Sequence, residues 1–269
     1  MQSCPGLVFE LRGDIAVLRL DRPDRGNAVN AVIERACKEA WKEVRENGAI
    51  RAAVITGTGD RHFCTGGDVS GLSTDGDTAL VNKPYHEAVY FSSLQNRVFK
   101  PVVCAVNGLA CGAGLHFVVD ADIVVASENA TFLDTHVNVG QVGAIENIGL
   151  MKRLPIGTAL RMTLQGKSYR LTARRAYELG MVDELVPTPA DALPKALEIA
   201  GEIAANSPQA VALSKQALWE SLEMGYTQAC ANGWNLLRQQ WGHPDFVEGP
   251  QAFAERRAPA WNPDPNARR

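Results

Sequence analysis

Gly112, Ala113 and Gly114 stand between a β-branched run, Val102 to Val106, and an apolar run, Leu115 to Val119. Asn107-Gly108 breaks the first run as a turn would. A strand, a small-residue turn and a helix start leave backbone N–H groups free, because the first N–H groups of a helix have no intrahelical partner. The helix dipole adds positive potential there, and small side chains let a ligand come close. The chemistry this suits is the holding of an anion or a developing oxyanion. A second unit lies about fifty residues upstream, where the apolar run Ala53 to Thr56 is followed by Cys64-Thr65-Gly66-Gly67-Asp68, with Asp68 placed to cap a helix starting near Val69. Two such units side by side could aim two N–H groups at one oxygen. The alternative for either turn alone is close strand–helix packing through small residues.

The elements that must position these turns alternate between strand and helix, which argues for an α/β class. Val8 to Leu11 and Ile15 to Leu20 read as a hairpin around Gly13-Asp14, and Asn30 to Asn47 as a helix with Val32, Ile33, Ala36, Ala40 and Val44 on one face. Residues 71–84 read as a mobile loop, Tyr85 to Phe99 as a helix, and Ile123 to Ala126 as a further strand. From Leu193 the pattern is helical throughout, with Ser207-Pro208 opening a helix through Met224 and Trp234, Leu237 and Trp241 marking another. This divides the chain into an α/β core over 1–192 and a helical region over 193–269. The sequence shows no exact repeat.

Composition narrows the function. A net charge of −3 and the lack of any dense Lys/Arg run argue against a nucleic-acid partner. The N-terminal residues do not read as a signal peptide, and the apolar stretch at 102–126 is interrupted by Asn107, His116, Asp120 and Asp122, so a cytoplasmic protein without membrane spans is expected. Six cysteines without CxxC spacing read as free thiols. Gly108-x-x-x-Gly112-x-Gly114 is not the spacing of a dinucleotide fingerprint.

Four stretches, LDRPDRGNAVN (Leu20 to Asn30), ITGTGDRHFCTGGDVSGL (Ile55 to Leu72), AVNGLACGAGL (Ala105 to Leu115) and LTARRAYELGMVDELVP (Leu171 to Pro187), together resemble the crotonase, or enoyl-CoA hydratase/isomerase, family. The resemblance implies a spiral of ββα units with a C-terminal helical trimerisation region, assembling as a homotrimer or dimer of trimers. It implies an acyl-CoA substrate and no cofactor beyond the coenzyme A of that substrate. Its oxyanion hole falls on the backbone N–H groups of Thr65 and Ala113. The coenzyme A and substrate contacts fall on Arg25, Gly26, Ala28, Thr65, Gly66, Gly67, Asp68 and Gly112.

The family's two catalytic glutamates align here with His116, three residues after Ala113, and with His136 in Phe132-Leu133-Asp134-Thr135-His136. Histidine can carry general acid–base chemistry near neutral pH. Glu146 follows in a loop longer than the family's usual one, either orienting a histidine or bracing the loop. His116, His136 and Glu146 are therefore the candidate catalytic residues. Two histidines with Asp134 or Glu146 could also ligate a metal, but no other feature points to one, and none is expected. His62, His86 and His243 read as core or surface residues. The leading reading is a hydratase- or isomerase-type enzyme on acyl-CoA thioesters. The histidine–carboxylate arrangement is also similar to the β-diketone hydrolase branch, which cleaves C–C bonds. A decarboxylase and a non-catalytic acyl-CoA-binding protein are the other readings.

Overall fold

The computed structural model describes residues 4–68, 84–264 and 267–268. The expected loop over 71–83, the helix start near Val69 and the side chain of His86 lie outside the described residues.

The hairpin forms as read, from β1 (Leu7–Arg12) and β2 (Ile15–Leu20), and the Ala31–Glu46 helix follows. Asn30 caps that helix, its side chain accepting from the Val32 and Ile33 N–H groups. Three pairs of strands come next: β3 (Ala52–Gly57) with β4 (His62–Cys64), β5 (Val102–Val106) with β6 (Leu109–Cys111), and β7 (Ile123–Ser127) with β8 (Thr131–Leu133). The first member of each pair joins one sheet and the second joins another. The larger sheet runs β1-β2-β3-β5-β7-β10 and the smaller β4-β6-β8-β9, with β9 at Leu171–Thr172 and β10 at Glu184–Val186. Successive pairs add in parallel, so the chain winds as a spiral whose turns are alike in structure but not in sequence.

The central strands are buried on both faces, which is why AVIT and VVCAV read as continuous apolar runs. Ile55, Cys104, Val106 and Val124 face one core with Trp41, Phe63 and Phe132. Val54, Val103, Ala105 and Val125 face the Pro189–Ala204 helix through its Ala192, Ala196 and Ala200. The division expected at 192/193 falls inside this helix. Its alanine face closes the large sheet, so the helix belongs to the core and not to an appendage.

The helices Pro208–Ser221, Tyr226–Trp241 and Asp245–Glu255 follow. Lys215 Nζ ties the first of them to the sheet, meeting Asp122 Oδ2 at 2.8 Å and donating to the Lys100 carbonyl at 2.9 Å. Among the described residues, no helix is long and apolar enough to cross a membrane.

The helix expected over Tyr85 to Phe99 is replaced by a short helix at Tyr85–Ala88 and a 3₁₀ turn at Leu94–Asn96. Side-chain hydrogen bonds hold this irregular path. Trp41 Nε1 donates to the Phe91 carbonyl at 2.8 Å, Asn96 Nδ2 to the Ser92 carbonyl at 2.8 Å, and Ser93 Oγ to the Asp120 carbonyl at 3.1 Å.

Candidate active site

The two glycine turns meet. Gly66 has φ 102°, and a Cβ there would lie 3.0 Å from the Cys111 carbonyl oxygen and 3.4 Å from the Ala113 nitrogen. A Cβ on Gly114 would come within 2.5 Å of the Cys64 carbonyl oxygen. Only glycine permits this contact between successive turns of the spiral.

Residues 26–29 pair with 65–68 in a narrow ladder. Thr65 N–H donates to the Gly26 carbonyl at 3.0 Å, Val29 N–H to the Gly66 carbonyl at 2.8 Å, and Asp68 N–H to the Val29 carbonyl at 2.8 Å. Alternation then turns the N–H of Gly67 away from Val29. The donor expected from the sequence on this side is Thr65. Thr65 N–H is spent inside the ladder, whereas Gly67 N–H has no acceptor among the described residues. Ala113 N–H lies in the first turn of the Gly112–Gly114 3₁₀ segment and has no intrahelical partner. Gly67 was passed over because an unpaired N–H is a property of strand register, which residue types do not reveal.

The expected coenzyme A residues are gathered around this ladder. Gly26 and Ala28 are buried and Gly67 is exposed. Asp68 does not stand open: its Oδ2 accepts from the Arg22 guanidinium at 2.9 Å. Arg25 is exposed at the end of a 3₁₀ turn, immediately before the ladder begins.

His116, His136 and Glu146 come together at one point. Glu146 lies in the first turn of the Ile145–Arg153 helix and is 5% exposed. Its Oε2 is 3.3 Å from His116 Nε2 and its Oε1 is 3.1 Å from His136 Nδ1. Asp134 joins the group, with Oδ1 2.6 Å from the same His136 Nδ1. Asp134 Oδ1 also accepts from the His136 backbone N–H at 3.1 Å, and Oδ2 accepts from Asn147 Nδ2 at 2.6 Å. Asp134 is not among the candidate catalytic residues read from the sequence. The Asp-x-His spacing was the available signal, since an aspartate readily bonds the backbone two residues on. The Asp134, His136 and Glu146 donor atoms lie within 4.8 Å of one another, so the cation-sized grouping holds one histidine and two carboxylates, not two histidines. His136 Nδ1 faces both carboxylates.

These contacts set the proton distribution. For Asp134, burial works against ionisation, but the hydrogen bonds from His136 and Asn147 outweigh it and hold the carboxyl below its usual range. Burial likewise opposes ionisation of Glu146, and the hydrogen bond from His116 outweighs it. The Asp134 hydrogen bond raises His136 above the ordinary histidine value, against burial and with help from the Glu146 charge. His136 thus keeps a proton on Nδ1. Its Nε2 has no partner among the described residues, and Cε1 lies 3.6 Å from where a Cβ on Gly112 would stand, next to Ala113. A histidine held by carboxylates at one nitrogen and open at the other is an oriented general base. His243, in contrast, is fully buried, accepting from the Asp245 N–H at 3.2 Å and meeting the Asp264 carbonyl at 2.9 Å, the satisfied core residue expected.

Comparison with known proteins places the chain in a family. The sequence model of the family described as "Enoyl-CoA hydratase/isomerase" matches residues 10–264. The chain is 32% identical to a carnitinyl-CoA dehydratase of Proteus mirabilis over 264 residues, covering 93% of this chain and 95% of that one. It is 30% identical to an (E)-benzylidenesuccinyl-CoA hydratase of Thauera aromatica over 259 residues, with 95% and 98% covered. Among solved structures, an enoyl-CoA hydratase/isomerase from Mycobacterium paratuberculosis superposes with a TM-score of 0.86 at 37% identity, covering 96% of this chain and 99% of that one.

Proposed function

The chain belongs to the enoyl-CoA hydratase/isomerase family, and from that premise we propose that it adds water to, or removes water from, an acyl-CoA thioester, with His136 as the proton-transferring base. The observation that carries this reading is the pair of carboxylate contacts to His136 Nδ1, 2.6 Å to Asp134 and 3.1 Å to Glu146, which leave Nε2 open beside Gly112. In dehydration, Nε2 takes the proton from Cα of a 3-hydroxyacyl thioester. The electron pair moves onto the thioester oxygen, between Gly67 N–H and Ala113 N–H. When it returns, the Cα–Cβ double bond forms and the β-hydroxyl leaves. The proton on Nε2 goes to that oxygen, so the products are the enoyl thioester and water. Each backbone donor is worth roughly 2.7–4 kcal/mol to the charged intermediate.

The curated relatives are named for dehydration and hydration of CoA thioesters, which supports this direction of chemistry. The site differs from the family's glutamate pair in offering one open imidazole nitrogen. A carboxylate pair can grip a water through several acceptor positions at once. Crotonyl-CoA hydration should therefore be slow beside that of a glutamate-bearing relative. The test is turnover of a panel of enoyl- and 3-hydroxyacyl-CoA thioesters by the wild type and by His136→Ala. The variant should lose about 10²-fold or more in kcat while acyl-CoA binding stays nearly unchanged. Full turnover by His136→Ala would overturn the base assignment.

The same contacts favour one second reading. A carboxylate-paired histidine can activate water against a carbonyl, and the N–H pair can then hold the enolate expelled as a C–C bond breaks. Cleavage of a β-diketone, with no turnover of any CoA thioester, would select it.

The homo-oligomer expected of the family is part of the proposal. Ile156, Leu160 and Leu164 form an exposed row on one helix, 60%, 44% and 70% accessible, beside Ile148 at 58% on the preceding helix. Apolar rows of this kind mark association surfaces. A stable monomer in sedimentation at micromolar concentration would contradict it.

A further inference from the structure

His116 occupies the position of a family glutamate, but its surroundings fix a different task. It is 5% exposed, with its ring 4.9 Å from that of Phe91 at an interplanar angle of 85°. Nδ1 is 3.0 Å from Gln95 Nε2. The amide of Gln95 cannot be turned over, because its Oε1 accepts from the Ser92 backbone N–H at 3.0 Å and that group can only donate. Gln95 must therefore present N–H to the imidazole, and Nδ1 must accept. The His116 proton is left on Nε2, where Glu146 Oε2 receives it at 3.3 Å.

We propose that Gln95 is a positioning residue that locks His116 as its Nε2–H tautomer, making His116 a fixed hydrogen-bond donor to Glu146 instead of an acid or base. The sequence Ser92 N–H, Gln95, His116, Glu146, His136 is then one directed chain of donors and acceptors. Each link sets the next, and the last link turns the Glu146 charge toward His136. The charged and titratable groups that face His116 are Glu146, Asp120 and, beyond Glu146, His136. Asp120 is half-buried and accepts from Ser92 Oγ. The Gln95 N–H on Nδ1 needs a lone pair there, which the Nε2–H tautomer supplies.

The tautomer stands on geometry alone, whereas its kinetic consequence rests on the base role proposed for His136. Nitrogen-15 NMR of histidine-labelled full-length protein reads the first directly. Wild-type His116 should show a bare Nδ1 and a protonated Nε2. The nearly isosteric Gln95→Glu should show both nitrogens protonated, because a carboxylate accepts from Nδ1–H. Its kcat/KM profile should have an acid limb shifted to lower pH, since the cationic His116, in contact with Glu146, lies nearer to His136 than the new carboxylate does. A protonated Nδ1 in the wild type overturns the lock. The expected tautomer with an unmoved acid limb in Gln95→Glu overturns the positioning role, provided His136→Ala is inactive. Full turnover by His136→Ala counts against the proposed reaction instead, and the NMR result still decides the tautomer.

Discussion

Asp134 Oδ1 stands 2.6 Å from His136 Nδ1, closer than the Glu146 carboxylate at 3.1 Å. The residue two positions before the histidine is therefore its main orienting partner. Asp134→Asn should cost about 10²–10⁴-fold in kcat, by analogy with an orienting aspartate made neutral in a catalytic triad. An amide keeps one acceptor where three donors converge: the His136 ring, the His136 backbone and Asn147. Steady-state kinetics should show the loss in kcat with KM little changed. A loss confined to KM would assign Asp134 to substrate binding.

The pH dependence follows from the directions of shift. His136 must be bare at Nε2 to act, and the Asp134 hydrogen bond raises it. Activity should fall as pH drops through a value above about 6.5, the unperturbed histidine value. Glu146→Gln removes one raising charge, so its acid limb should move to lower pH, as a kcat/KM profile would record. Stability is linked with opposite signs. The raised His136 contributes fully below about pH 6.5 and loses that contribution as pH rises through its native value. Asp134 and Glu146 are lowered, so their contributions are present above about pH 4 and vanish as pH falls through their native values. Denaturant midpoints in His136→Ala should be less sensitive to pH above 6.5 than those of the wild type.

The donor pair has a geometric test. In a crystal of the protein with a CoA thioester bound, the thioester oxygen should lie about 2.7–3.1 Å from both the Gly67 and Ala113 nitrogens. Contact with the Thr65 nitrogen would require the 26–29 ladder to open, and would reject the assignment.

Lys215 supplies a prediction about stability. Its side chain is 6% exposed and paired with Asp122, whose carboxylate also accepts from the Val102 N–H at 2.7 Å and Trp219 Nε1 at 2.7 Å. Lys215→Met should destabilise by about 3 kcal/mol, because Asp122 is left charged and partly unpaired. Adding Asp122→Asn should recover part of the loss. Urea unfolding of the single and double variants measures both, and strictly additive losses would mean that the pair is not coupled.

Much of the architecture was legible in the chain because it depends on local chemistry. Asn30 and Ser207 cap helices through their own side chains, and the AVIT and VVCAV runs are apolar because both faces of the large sheet are covered. Gly66, Gly112 and Gly114 marked the place where two turns of the spiral touch, since close backbone approach excludes a Cβ. His116 and His136 stood out by their positions within the family's motifs. What the chain alone could not give is which groups remain free once neighbours are placed. Thr65 and Gly67 are two residues apart, and the pairing of Val29 consumes one N–H and spares the other. Asp134, Gln95 and Ser92 have ordinary side chains or backbone in ordinary local sequence. They acquire roles because the spiral brings residues 92–95, 116, 134–136 and 146 to one point, where every donor must find an acceptor. The boundary expected at Leu193 falls within a helix whose Ala192, Ala196 and Ala200 are a small-residue face that has meaning only against the sheet it covers.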